Sequence, residues 1–124
     1  MKAIKTDSAP SAVGPYSQAI KKGKDVFISG QLPIDPATGK IVKGSIEEQT
    51  VRALENVKAI AEATGGKMLD IVKTTVYLVN IDDFVIMNTV YSSYFEEPYP
   101  ARSCIEASRL PKGALVEIDA IMHL

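Results

Sequence analysis

The sequence predicts an α+β fold in which two helices pack on one face of a single β-sheet. Its length of 124 residues fits one domain that spans residues 1–124. Apolar residues recur at helical spacing in two segments and alternate at strand spacing in the segments around them. The resulting order is β-β-α-β-α-β-β, and two helices are enough to cover one face of a sheet of about five or six strands.

Turn-forming residues bound the first two strands. Glycine and proline punctuate the N-terminal region and leave two segments, Tyr16–Lys21 and Asp25–Gln31, which predict strands joined by a tight turn at Lys22–Lys24. The next segment, Pro33–Lys43, predicts a solvated loop.

Ser45–Ala63 is the clearest helix in the sequence. Ser45 and Glu48 have the Ser-x-x-Glu spacing of a capping box, in which the two side chains accept hydrogen bonds from early backbone N–H groups. One apolar face follows at helical spacing, formed by Leu54, Val57 and Ala61. Gly65-Gly66 ends the helix, because glycine accepts the left-handed backbone of a C-terminal cap.

The second half predicts three strands and one helix. The helix starts at Asp82 or Asp83, whose carboxylate can cap it, and runs to about Phe95. The strands are Ile71–Val79, Ala101–Ala107 and Leu115–Leu124. The apolar face of the first of them consists of Val72, Val76 and Leu78.

The last strand indicates which face of the sheet meets the helices. One alternating set is apolar and should point towards them: Val116, Ile118, Ala120, Met122 and Leu124. The other set should face away: Glu117, Asp119, Ile121 and His123. With Cys104 expected on the same side, the helix-free face mixes apolar and ionic side chains and is a candidate subunit interface.

The composition disfavours several classes of protein. The chain has 46% hydrophobic and 23% charged residues, a formal net charge of −1 and a pI of about 5.8. These values are typical of a soluble globular protein and lack the basic excess of a general nucleic-acid binder. No apolar run exceeds four residues, whereas a membrane span needs about 20. We therefore expect neither a membrane span nor a secretory signal.

Cys104 and His123 are the only cysteine and the only histidine, and this scarcity limits the chemistry. A single cysteine forms no internal disulfide, and the two residues provide no zinc site of the usual N/S type. A Cys-His nucleophilic pair and a Ser-His-Asp triad are also disfavoured, because His123 lies at the far end of the last strand. We expect a cytoplasmic protein without a metal, and nothing in the sequence indicates a cofactor.

Three chemically active side chains can meet near the end of the chain. Arg102 and Cys104 are two residues apart on a strand and share a face. If the strands that flank Ser108–Gly113 pair as a hairpin, Cys104 lies roughly opposite Glu117 on the open face of the sheet. The alternatives are a surface arginine, its salt bridge with Glu117, and a cysteine that acts only as a small buried residue.

Five sequence blocks resemble the RidA/YjgF family, in that family's order and spacing from near residue 7 to the C-terminus. They are Gly14–Ala19, Ile28–Gln31, Ile71–Tyr77, Pro100–Cys104 and Ser108–Ile118. The resemblance implies a chorismate-mutase-like α+β fold, assembled as a homotrimer with clefts between subunits. It also implies metabolite damage control by hydrolytic deamination of reactive enamine/imine intermediates to 2-oxo acids and ammonia. Such substrates are 2-aminoacrylate/2-iminopropanoate and 2-aminocrotonate/2-iminobutanoate.

The resemblance further implies roles for individual residues. Arg102 stands where active members hold the substrate carboxylate, and its planar fork suits that group. Glu117 stands where a glutamate serves water activation and proton transfer. Burial would raise the Glu117 pKa and Arg102 would lower it. The other positions that match the family's substrate-binding residues are Tyr16, Ser29, Gly30, Asn88 and Cys104.

Two other functions compete with this interpretation. One is a non-catalytic trimer that binds a 2-oxo acid as a regulator. Relatives that fit it lack the arginine or the glutamate, so the presence of Arg102 and Glu117 favours an enzyme. The other is a ribonuclease or translation inhibitor, which the pI of about 5.8, the lack of a basic stripe and the single histidine disfavour.

Overall fold

The computed structural model describes residues 1–124, which form a six-stranded sheet, a small two-stranded sheet and two α-helices. The strands are β1 (Lys2–Ile4), β2 (Ala19–Lys22), β3 (Asp25–Gln31), β4 (Ile34–Asp35), β5 (Lys40–Ile41), β6 (Ile71–Leu78), β7 (Ala101–Glu106) and β8 (Val116–His123). The helices are α1 (Ile46–Ala63) and α2 (Phe84–Ser92). The main sheet has the order β1-β2-β3-β8-β6-β7, and β4 pairs with β5.

The hydrophobic core lies between the helices and one face of the main sheet. The inward residues of β8 are buried, as their alternation predicted: Val116, Ile118, Ala120 and Met122. α1 contributes Leu54, Val57 and Ile60 to the same core. The predicted α+β fold with two helices on one face is therefore confirmed. Neither helix combines the length and the apolar character that crossing a membrane requires.

β6 lies between β8 and β7, so the predicted hairpin of the last two strands is wrong. β7 pairs in parallel with β6, while β8 pairs antiparallel with β6 and β3. The connection from β7 to β8 bonds to the end of β6. The Ala107 N–H donates to the Leu78 carbonyl at 2.8 Å, and the Val79 N–H donates to the Leu115 carbonyl at 3.1 Å. The segment between β7 and β8 therefore crosses the end of β6, and β7 and β8 do not form a hairpin.

The N-terminal strands differ from the prediction in extent. β2 begins at Ala19 instead of Tyr16 and pairs with β1, a strand that was not predicted. The predicted loop Pro33–Lys43 contains the small hairpin of β4 and β5. Strands of two or three residues are too short to show an alternating pattern, which explains both omissions.

The predicted capping box at the start of α1 does not form. Ser45 is the N-cap, but its side chain accepts no backbone N–H. Its hydroxyl instead donates to the Glu48 carboxylate, with 3.4 Å between Oγ and Oε1. Gly44 has no side chain, and the Glu48 carboxylate lies against it, beside the Ser45 hydroxyl.

The second helix is shorter than predicted. α2 ends at Ser92, three residues before Phe95. A short 3₁₀ turn, Ile81–Asp83, precedes it, and the cap of that turn is Asn80, whose side chain accepts the Asp82 N–H at 2.9 Å. The predicted cap at Asp82 or Asp83 is therefore displaced to the preceding asparagine.

One position of β6 departs from its predicted face. Val72 is 50% exposed, because the pairing of β6 with β8 is irregular between Ile71 and Lys73. Beyond this irregularity, Thr74 joins Val76 on the buried face. A threonine hydroxyl therefore lies under the helices, where it needs a hydrogen-bond partner.

Buried Asn56 of α1 fixes the segment that follows β3. Its Nδ2 donates to the carbonyl oxygens of Leu32 and Ile34 at 3.1 and 2.9 Å. Its Oδ1 accepts from Arg52 Nη2 at 2.8 Å. One side chain thus satisfies two carbonyls that follow β3 and also engages an arginine on its own helix.

Replacing Asn56 by alanine should lower the free energy of unfolding by about 2–3 kcal/mol, because two carbonyl groups lose their donor. Denaturant unfolding followed by circular dichroism measures the change. The matched control is Asn80→Ala, which removes an exposed asparagine with one backbone contact and should cost about 1 kcal/mol or less. Equal losses in the two variants would contradict the role given to Asn56.

Candidate active site

Arg102 lies on the helix-covered side of the edge strand β7 and contacts α2. Its Nη1 donates to Asn88 Oδ1 at 2.7 Å. Its Cζ lies 4.7 Å from the centre of the Tyr91 ring and 5.4 Å from the centre of the Phe84 ring, within the range of cation–π contacts. Asn88 engages one of the five guanidinium N–H donors, so enough donors are free for bidentate binding of an anion.

Helical spacing brings these partners together. Phe84, Asn88 and Tyr91 are separated by four and three residues, so they share one face of α2. The Tyr91 hydroxyl lies 2.7 Å from Oγ1 of Thr74 on β6 in a buried pair. The family resemblance indicated Asn88. Tyr91 was left out because aromatic residues at helical spacing more often belong to the core, and Thr74 was left out because its partner is 17 residues away in the sequence.

An open cavity of about 440 Å³ lies beside Arg102, and no acidic side chain lines it. Its lining consists of Asn88, Tyr91, Ser92, Tyr99, Pro100 and Arg102. The one ion pair of the chain is elsewhere, between His123 Nδ1 and Asp25 Oδ1 at 2.8 Å. Arg102 therefore has no carboxylate partner within its own chain. Nowhere do three His, Cys, Asp or Glu side chains gather in a way that could hold a metal ion.

Cys104 shares the face of β7 that carries Arg102, as predicted, and packs against the core. Burial raises the pKa of its thiol, and the nearby Arg102 charge offsets only part of that effect. The thiol is therefore protonated near neutral pH and is a poor nucleophile.

Glu117 lies on the opposite, helix-free face of the sheet. Through β6, Glu117 is aligned with Tyr77 and Ile105, whereas Arg102 is aligned with Thr74. Successive side chains of a strand point to opposite faces, and Arg102 and Ile105 are three residues apart. The prediction that Arg102, Cys104 and Glu117 gather on one open face is therefore wrong for a single chain, because the register through β6 aligns Glu117 with Ile105 and not with Cys104.

The Glu117 carboxylate lies against Gly30. The pairing of β3 with β8 is irregular between Ile28 and Gln31, where Ser29 and Gly30 stand. A Cβ at position 30 would overlap the Glu117 carboxylate, so only glycine leaves room for it. Irregularities of this kind are frequent next to functional sites, because they redirect side chains.

A second cavity of about 440 Å³ adjoins this carboxylate. Residues that line it include Tyr16, Gly30, Gln31, Lys112 and Glu117. Three of the residues predicted for the site, Tyr16, Gly30 and Glu117, therefore line one cavity. The other cluster, around Arg102, holds Asn88 and lies on the other face of the sheet.

Buried Gln18 holds the segment that precedes Tyr16. Its Nε2 donates to the Pro10 carbonyl at 2.7 Å. Ser29, predicted to bind substrate, donates its hydroxyl to the Ser17 carbonyl at 2.6 Å and so fixes the same loop. Sequence reasoning did not single out Gln18, because its partners stand several residues away and no local pattern shows that it is buried.

Burial raises the pKa of Glu117 above its ordinary value of 4.5, and the like charge of Asp119 raises it further. Arg102 does not offset this, since it lies on the other face of the sheet. Within one chain, burial therefore raises the pKa of Glu117, a direction that the sequence left open. A carboxylate with a raised pKa is a stronger base than an ordinary glutamate and accepts a proton from water more readily.

The five sequence blocks imply an α+β fold, and the structure has that fold. Comparison with known proteins agrees. Residues 6–124 match the family model described as Endoribonuclease L-PSP. The chain belongs to this family, which is the RidA/YjgF family.

Relatives cover nearly the whole chain. A RutC family protein of Pyrococcus abyssi is 57% identical over 120 residues, which are 97% of this chain and 94% of that protein. The 2-iminobutanoate/2-iminopropanoate deaminase of Salmonella typhimurium is 48% identical over 123 residues, 97% and 95% of the two chains.

Solved structures show the same fold. RidA from the Antarctic bacterium Psychrobacter sp. superposes with a TM-score of 0.96 at 46% identity, covering 100% of both chains. Escherichia coli TdcF with bound serine superposes with a TM-score of 0.95 at 44% identity, covering 100% of this chain and 99% of that one. The predicted fold of the RidA/YjgF type is thereby confirmed.

Replacing Asp119 by asparagine should lower the pKa of Glu117. The variant removes a like charge, which stabilises the ionised carboxylate and moves its titration to lower pH. Carbon-detected NMR of the Glu117 side-chain carboxyl measures the midpoint directly. The control is Asp83→Asn, which removes a charge at the start of α2 and should leave the Glu117 midpoint unchanged. An unchanged or higher midpoint in Asp119→Asn would contradict the assigned cause.

Proposed function

We propose that the protein hydrolyses reactive enamine/imine intermediates to 2-oxo acids and ammonia. The substrates are of the 2-aminoacrylate/2-iminopropanoate and 2-aminocrotonate/2-iminobutanoate type. Arg102 holds the substrate carboxylate, and Glu117 moves protons between water and the departing nitrogen. Tyr16, Gly30 and Asn88 shape or support the two parts of the site.

The observation that carries this proposal is the Arg102 guanidinium without an acidic partner. Charged groups that are partly buried are usually paired, so an unpaired one beside a cavity suits an anionic ligand. A 2-imino acid presents a planar carboxylate next to its C=N carbon. Two parallel N–H donors of Arg102 match that carboxylate and fix its orientation.

Glu117 supplies the remaining chemistry. The imine carbon is electrophilic, so it needs an oriented water and a group that accepts the water's proton. The water oxygen bonds to the carbon while Glu117 takes the proton. That proton then passes to the nitrogen and gives a tetrahedral intermediate that carries a hydroxyl and an amino group. Glu117 next moves the hydroxyl proton to the nitrogen, the C–N bond breaks, and ammonia leaves as the C=O bond forms.

Each complete site is proposed to lie between two copies of the chain. Because Arg102 and Glu117 occupy opposite faces of one sheet, the Arg102 cavity of one copy would meet the Glu117 cavity of the next. Head-to-tail contacts of this kind close into a ring, and three copies give the homotrimer. Exposed apolar side chains on the helix-free face, Phe27 and Ile105, supply surface for such contacts.

The relatives support the substrate class. The Salmonella typhimurium relative is named a 2-iminobutanoate/2-iminopropanoate deaminase. The TdcF relative holds serine, a small molecule whose carboxylate lies next to a nitrogen-bearing carbon. The direct test supplies an imine generated in situ and measures ammonia and 2-oxo acid release. Binding of 2-oxobutanoate without faster release would favour the regulatory trimer instead.

Mixing two inactive variants should restore activity if the sites are shared. Arg102→Ala and Glu117→Gln each remove one half of every site, and each should lower turnover by roughly 10²–10⁴. Trimers assembled from equal amounts of both should recover about a quarter of the original activity, since each site draws one residue from each of two copies. Ammonia release after joint refolding measures the recovery.

The control for this experiment mixes the two variants without unfolding, so that no exchange of subunits takes place beforehand. Recovery should then be absent or slow. A lack of recovery after joint refolding, with both variants assembled as trimers by light scattering, would contradict sites shared between copies.

Arg102→Lys should lose most of kcat/KM although the charge is kept. Lysine lacks the planar fork, so the carboxylate binds in several orientations, and such misplacement costs on the order of 100-fold in rate. The variant should also discriminate less between 2-imino acids and imines without a carboxylate. Steady-state assays with both substrate types measure this, and the exposed Arg109→Lys is the matched control. Retained preference for the carboxylate in Arg102→Lys would exclude Arg102 as the anchor.

A further inference from the structure

We propose that Tyr91 and Thr74 are positioning residues for Arg102. Tyr91 fixes the plane of the guanidinium, and Thr74 fixes Tyr91, so that the free N–H donors point into the cavity beside Tyr99 and Pro100. This inference rests on the proposed role of Arg102 as the carboxylate anchor.

Tyr91 is held at both ends of its ring. It is only 4% exposed, and its hydroxyl lies 2.7 Å from Oγ1 of Thr74, which is itself fully buried. The Phe95 ring, three residues beyond the end of α2, packs against the Tyr91 ring with 4.6 Å between ring centres. A ring fixed by packing and by a buried hydrogen bond has little freedom to turn.

The hydrogen bond to Asn88 alone does not define the orientation of Arg102. It fixes one nitrogen, at 2.7 Å from Asn88 Oδ1, and leaves rotation about that contact possible. Arg102 Cζ lies over the Tyr91 ring, 4.7 Å from its centre, and this contact supplies the second constraint because a fixed ring next to the guanidinium limits how far it can tilt. A carboxylate needs this alignment, since bidentate binding requires both N–H bonds to lie in its own plane.

Phe84 contributes less to this alignment. Its ring centre is farther from Cζ, at 5.4 Å, and the side chain is 37% exposed. Tyr91 is therefore the buried residue that makes the shorter ring contact with Arg102 and restricts its orientation. Thr74 belongs to β6, so the strand next to β7 contacts Tyr91 through one pair of hydroxyl groups.

The test compares variants of this pair with a matched control. Tyr91→Leu removes the ring, and the double variant Thr74→Val with Tyr91→Phe removes both hydroxyls and leaves no unpaired buried group. The control is Tyr94→Phe, which also removes a tyrosine hydroxyl bond, the one of 2.6 Å to Glu55, away from Arg102. If Tyr91→Leu does not fold, the double variant decides the outcome.

Two measurements are made on each protein. The first is the ratio of kcat/KM for 2-iminobutanoate to kcat/KM for an imine of similar size without a carboxylate. The second is the NMR order of the Arg102 Nε–H group. We expect the ratio to fall about tenfold in Tyr91→Leu and about two- to threefold in the double variant. Arg102 should become less ordered in both, and Tyr94→Phe should change neither measurement.

Unchanged order of Arg102 in the folded variants would overturn the positioning role. An equal effect of Tyr94→Phe would also overturn it, because the loss would then reflect general destabilisation. If the unmodified protein hydrolyses no imine, the proposed function fails. The NMR measurement, together with the affinity for 2-oxobutanoate, then still decides whether Tyr91 and Thr74 orient Arg102.

Discussion

β6 lies between β8 and β7, and its hydrogen bonds to both decide where the functional side chains point. Residues aligned across a sheet share a face, so alignment through β6 puts Arg102 under α2 and Glu117 on the helix-free side. The parallel pairing of β6 with β7 requires a crossover connection, and α2 lies within that connection. The helix that the topology requires thus also provides Asn88 and Tyr91 around Arg102.

The placement of Arg102 and Glu117 leaves both charges without an oppositely charged partner inside one chain. Arg102 has no acidic partner, and burial makes ionisation of Glu117 less favourable. Pairing the two charges would relieve both effects, but the sheet lies between them. In the proposed trimer they approach only across a subunit boundary. Under the proposed function, Arg102 is free to bind the carboxylate of a substrate because no carboxylate of its own chain is paired with it.

Patterns that are local in sequence predicted most of the fold. The periodicity of α1 and the alternation of β8 each extend over eight or more residues, so packing elsewhere did not override them. Strand order is not local. A hairpin between β7 and β8 was expected because they are consecutive in the chain, and no residue in either strand signals that β6 separates them. The error in the face assigned to Cys104 follows from this one missing fact.

The site was predicted unevenly for a similar reason. The family resemblance supplied Arg102, Asn88 and Glu117 by position, and position carries no information about which face of the sheet a residue occupies. Thr74 and Gln18 escaped notice because their partners are distant in sequence. Thr74 bonds to a residue 17 positions away, and Gln18 bonds to the Thr6 N–H 12 positions away. Buried polar pairs of this kind become visible only when the chain has folded.

The family model's description names an endoribonuclease, and the distribution of charge bears on which ligand these cavities suit. RNA carries one negative charge per phosphate, so its binding sites combine several cations. The Arg102 cavity offers one guanidinium among uncharged side chains. The second cavity contains one cation, Lys112, together with the Glu117 carboxylate, and Asp119 lies close to Glu117. His123 is paired with Asp25 and lines neither cavity. One guanidinium matches one carboxylate, which favours a small monoanion over a polyanion.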